Sequence, residues 1–139
     1  MSLNIERLTV LRDVIANLPP SRFKMSTWVD VIDEEEDDRD SNELTAGDIK
    51  HDCGTCACIG GWTDALFREP KDRPMQHSTL DTGKLLGLTG GQTYELFTPK
   101  GVAWIEVTQE KAAEVLTRLI ETGRVDWSNS QPDFTEVNQ

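Results

Sequence analysis

The chain predicts a mainly α fold, a compact single domain of about five helices with one short strand or extended connector and a long acidic loop. Three observations predict it. Apolar residues recur at three- and four-residue spacing in stretches at both ends of the chain. Residues that start and stop helices stand where those stretches begin and end. With 139 residues, the chain has the usual size of one domain and can bury a core without disulfide or metal staples.

The first helix runs from Asn4 to Leu18, with Ile5, Leu8, Leu11, Ile15 and Leu18 on one stripe and Val14 beside it, and is stopped by Pro19-Pro20. Phe23, Met25 and Trp28 follow in a stretch too short to assign. The run DEEEDDRDSNELTAGDIK reads as a loop or flexible excursion, because like charges in sequence repel and extend. Thr55 to Phe67 reads as the second helix, with Ile59, Trp62 and Leu66 on one face. REPKDRPM is a loop on account of its prolines. Thr79 to Leu86 forms a short helix that ends at Gly87 and lets Leu88 fold back. Thr89 and Gln92 have capping-box spacing and open a helix that carries Tyr94, Leu96 and Phe97 and stops at Pro99. GVAWIEV is the strand or connector. Thr108 caps the last helix, Glu110 suits its positive end, Ala112, Val115, Leu116, Leu119 and Ile120 form its apolar face, and Gly123 ends it. The domain therefore spans 1–127, and 128–139 is a polar tail.

Hydrophobic residues make up 37% of the chain, and no run approaches the ~20 apolar residues of a membrane span. No signal-peptide pattern is visible, and three cysteines without one point to a reducing cytoplasm. The net charge of −11 is unevenly placed. Residues 30–52 carry eleven acids against Arg39 and Lys50, a local net of −9, which leaves −2 for the other 116 residues. With no clustered basic surface, direct nucleic-acid binding is disfavoured. The acids Asp33, Glu34, Glu35, Glu36, Asp37, Asp38 and Asp40 instead form a candidate surface for a basic protein partner. No register of the run fits an EF-hand calcium loop, and Thr82-Gly83-Lys84 lacks the remainder of a phosphate-binding loop.

HDCGTCACIGGW at 51–62 holds all three cysteines, and three readings compete for it. As a structural zinc module, His51, Cys53, Cys56 and Cys58 are the near ligands and His77 a distant one, since a C-x2-C turn supplies two ligands. Against this, a helix starting near Thr55 turns Cys56 and Cys58 ~200° apart about its axis. As a thiol enzyme, Cys53 or Cys56 is the nucleophile and His51 or His77 the base, with no orienting group evident. As a packing element, Cys53, Ala57, Gly60 and Gly61 are small residues on one side that let a neighbouring helix settle close. Buried cysteine behaves there as a small hydrophobe, and two helical glycines need such a compensating contact. An exposed Trp104 is a candidate interface anchor.

The pattern C-G-T-x-x-C-I-x-G-W, at Cys53, Gly54, Thr55, Cys58, Ile59, Gly61 and Trp62, resembles a motif of small phage and prophage proteins. Leu18-Pro19, F-x-M-x-x-W at Phe23, Met25 and Trp28, the L-L-G-L run ending at Leu88, and the stretch from Leu96 to Pro99 extend the likeness, and Gly123 and Trp127 close it. The resemblance implies a helical fold, a phage origin and hence the cytoplasm of a bacterial host, and it brings no activity with it. Cys56 occupies a variable position of that pattern. The acidic insertion before His51 departs from it, so any role of that insertion is this chain's own. The expectation is a non-enzymatic, phage-encoded protein without cofactor that binds a basic host or defence protein, with the zinc module and the thiol enzyme as alternatives.

Overall fold

Helix α1 (Ile5–Ala16) starts where the Asn4 side chain accepts the Arg7 amide at 3.0 Å, and it stops before Pro19. Its buried Leu8, Leu11 and Ile15 lie against α6 (Gln109–Thr122), whose buried stripe is Ala112, Val115, Leu116 and Leu119. Each such side chain taken fully from water stabilises the fold by roughly 1.5–3 kcal/mol, less for alanine. Thr108 caps α6 by accepting the Lys111 amide at 3.1 Å, and Gly123 ends it at φ +77°. The buried Gln109 amide donates to the carbonyls of Ile15 and Leu18, so α6 also closes the open end of α1. These two helices form as the sequence predicts. The computed structural model describes residues 3–33, 35–40, 43–69 and 79–127.

Between them the chain departs from expectation in three places. Thr55–Ala57 is not helical. It forms strand β2 and pairs antiparallel with β1 (Val29–Val31), Asp30 opposite Cys56. On its other side, Phe23 bridges Ala57 and the Lys24 amide donates to the Ala57 carbonyl at 3.1 Å. The ladder and a turn closed by the Thr55 amide on the Asp52 carbonyl override helix propensity, so helix α3 (Ile59–Phe67) begins only after Cys58. The acidic stretch is likewise not loop throughout. Helix α2 (Ala46–His51) lies within it, started by a full Thr45–Asp48 capping box and held by buried Leu44, Ala46 and Ile49. GVAWIEV gives no strand; it contains a 3₁₀ turn over Trp104–Glu106.

Helix α3 is the hub, with Ile59 through Ala65 all buried and α1, α2, β2 and the helices over Thr79–Leu85 and Gly90–Phe97 packed around it. Helices α4 (Thr79–Leu85) and α5 (Gly90–Phe97) meet through Gly83: a Cβ there would lie 2.0 Å from the Thr93 hydroxyl. That contact explains the glycine which the sequence set beside Lys84. Gly87 adopts φ +74°, and the Leu88 amide folds back to the Gly83 carbonyl at 3.1 Å, the expected helix stop. Thr89 and Gln92 make the expected capping box. No helix among the described residues is long and apolar enough to cross a membrane. The polar tail 128–139 lies outside the described residues.

Candidate functional site

The thiol-rich stretch spans the end of α2, a turn, β2 and the start of α3. His51 and Cys53 are exposed, whereas Cys56 and Cys58 are buried, each 3% accessible. His77 lies outside the described residues. Because the backbone at Cys56 to Cys58 is extended rather than helical, the helical-angle argument against a shared ligand set does not apply. Among the described residues, though, no three of His, Cys, Asp and Glu gather as metal ligands do. Cys58 caps α3 without a side-chain hydrogen bond. Its thiol is pushed up to about 11 by burial, against the pull of the Gly61 and Gly60 amides. Such a thiol stays protonated at neutral pH and is a poor nucleophile.

The glycines are there for close approach, but not of a helix. A Cβ on Gly61 would lie 2.0 Å from the Trp28 carbonyl oxygen and 2.7 Å from the Ala57 Cβ. One on Gly60 would lie 2.3 Å from the Trp28 indole. The partner is thus the chain entering β1. Cys53, placed on the same side by the sequence reading, is on the surface instead.

Sequence reasoning missed the polar knot behind this contact. Asp64 is fully buried on α3. Its carboxylate accepts from the Trp28 indole at 3.1 Å, the Arg68 guanidinium at 2.8 Å and the Thr82 hydroxyl at 2.8 Å. Burial raises its pKa in spite of those donors. The one signal in the sequence was an acid in an otherwise apolar helix, four residues before an arginine. Arg22 was missed as well. Its buried guanidinium binds the carbonyls of Thr55, Ile49 and Asp52 and lies 5.0 Å over the Trp62 ring, tying the end of α2 to β2.

The acidic segment returns to the thiol-rich turn. Arg39 spans from Asp37 (2.6 Å) to Asp52 (2.8 Å), and the other Asp52 oxygen accepts the Gly54 amide at 2.8 Å. The hydrogen bonds from Arg39 hold Asp37 below the usual carboxylate range. The Gly54 amide, then Arg39, does the same for Asp52. The Arg39 pKa is raised in return, chiefly by Asp37. The Asp33 side chain accepts the Glu35 and Glu36 amides, and the Asp37 amide closes on the Asp33 carbonyl at 2.9 Å. Local turns and one arginine therefore offset the repulsion that predicted a free excursion. Asp33, Glu35, Glu36, Asp38 and Asp40 remain exposed, Asp37 is half-buried, and Glu34 lies outside the described residues. Of the sequence-predicted residues, the structure thus joins Asp37 to the thiol-rich turn through Arg39, and it separates Cys53 from Cys56 and Cys58.

No family model, no curated protein and no solved structure matches the chain. The functional reading therefore stands on the molecule's own chemistry. One further surface belongs to it. Trp104 is 41% exposed, as an interface anchor requires, with its indole N–H fixed on the Pro99 carbonyl at 2.7 Å; Ile105 beside it is 80% exposed.

Proposed function

We propose that the chain acts by binding a protein with a basic surface, and that the segment from Asp33 to Asp40 makes the electrostatic contact. The observation that carries this reading is the local net charge of −9 over residues 30–52 in a chain otherwise close to neutral. The exposed carboxylates of Asp33, Glu35, Glu36, Asp38 and Asp40 support it. So does the Arg39 clamp, since a segment already held against the domain loses less freedom when it binds. The resemblance of the motif at Cys53 to Trp62 to that of small phage and prophage proteins supports a phage origin for the chain. A nucleic-acid-binding groove of a host or defence protein is the basic surface such a segment fits. Complementary charge speeds encounter and weakens with salt.

The test is capture from bacterial host lysate on the immobilised full chain, beside a variant with residues 33–40 replaced by Gly and Ser. A basic protein retained at about 0.05 M salt and released near 0.5 M, and absent on the variant, is the expected result. Absence of any basic partner, or equal capture by both chains, removes the proposal.

A further inference from the structure

The apolar surface around Trp104 and the acidic segment are joined by β1. At one end, Trp28, Phe97 and Trp104 line an open hollow of about 160 Å3, floored by Met25 and Cys58. All three rings are fixed. Trp28 and Phe97 meet edge to face at 5.6 Å and 89°, the Trp28 indole is bound to Asp64, and the Trp104 indole to Pro99. Ile105 stands beside Trp104, almost wholly in solvent. At the other end, Asp30, Val31, Asp37, Asp38 and Arg39 line an acidic hollow of about 390 Å3. Trp28 and Asp30, two residue steps apart on one face of the strand, thus line the two hollows about 7 Å from each other, and the acidic one continues to Val31, about 10 Å along the chain from Trp28. The β1–β2 ladder fixes that interval.

Trp28 and Trp104 are held by hydrogen bonds yet left partly open to water above the buried Phe97, and rings so fixed lose little freedom on binding and act as anchor pockets. Charge decides what they take. A second copy of this chain would bring the same negative segment to the acidic hollow and be repelled, whereas a cationic side chain is drawn there.

We infer that the two hollows form one docking surface for an extended segment of the partner protein, with an apolar side chain seated between Trp28 and Trp104 and a lysine or arginine over Asp30 and Asp38. The inference rests on the proposed function and adds to it the partner's local sequence: an aromatic or branched aliphatic residue about three to five positions from a basic one.

The test is selection of a random dodecapeptide library on the full-length chain, followed by fluorescence anisotropy of the enriched peptide. Enrichment of that apolar-to-basic spacing is expected. Trp104→Ser and Asp38→Lys should each weaken the peptide by about tenfold or more, while Cys53→Ser leaves it unchanged. All three positions are on the surface, and equal urea midpoints will show that the variants fold. Basic peptides indifferent to Trp104→Ser would overturn the inference and leave the proposed function standing. Apolar peptides indifferent to Asp38→Lys would overturn both. No enrichment, or a dimer in sedimentation that Trp104→Ser dissociates, would also overturn the inference.

Discussion

At the scale of single residues, the glycines of IGGW show how far a sequence can be read. Two consecutive glycines in a helix cost up to about 2 kcal/mol relative to alanine, so a close neighbour was legible. Its identity was not, because the contact is long-range, like that between Trp28 and Asp64, thirty-six positions apart. The structure makes the two kinds of glycine separable by experiment. Gly61→Ala drives a methyl group against the Trp28 backbone and should cost at least about 2–3 kcal/mol. Gly91→Ala meets nothing within 4 Å on α5 and should be neutral or stabilising by up to about 1 kcal/mol. Urea unfolding of both variants checks the contrast. The cysteines were legible only in part. Burial of Cys56 and Cys58 follows from their being small and apolar, but the spacing that sets Cys53 beside Ala57, Gly60 and Gly61 requires a helix where the chain forms β2.

At the scale of elements, the ends of helices were read well because their signals are local. An N-cap threonine suffices at Thr108, and at Thr89 it is joined by Gln92 three positions on. Strand β2 and helix α2 were not read, since one depends on pairing with β1 and the other was masked by its charges. The acidic segment and α3 should answer acid in opposite senses. Asp37 and Asp52 have depressed pKa values. Their contribution is present above the ordinary carboxylate value and lost as pH falls through the lower folded one. Amide exchange of residues 35–40, corrected for intrinsic rates, should therefore stay constant from about pH 7 to 5 and accelerate only below about pH 4, with Arg39→Ala accelerated throughout. Asp64 has a raised value, so its contribution is greatest below the ordinary range and is lost as pH rises through the folded one. The stability of the native chain relative to Asp64→Asn should decline across that rise. A constant difference in urea midpoint would show that Asp64 does not titrate in this way.

At the scale of the whole molecule, the fold class was legible from periodicity and length, and the charge asymmetry from composition alone. The neighbourhood of the two was not, because the Arg39 bridge to Asp52 joins segments that share no pattern. Self-repulsion of a −11 chain is screened by salt. Raising salt from about 0.02 to 0.3 M should therefore move the urea midpoint upward, and less so when residues 33–40 are replaced by Gly and Ser. An equal rise in both would place the repulsion elsewhere. Of the three cysteines, Cys53 is exposed and the other two are buried, and it sits between the two residues, Asp52 and Gly54, whose hydrogen bond helps hold the bridge. A fluorophore coupled there would be a single-site gauge of whether the latch is shut, with no engineered cysteine and the interior left unlabelled.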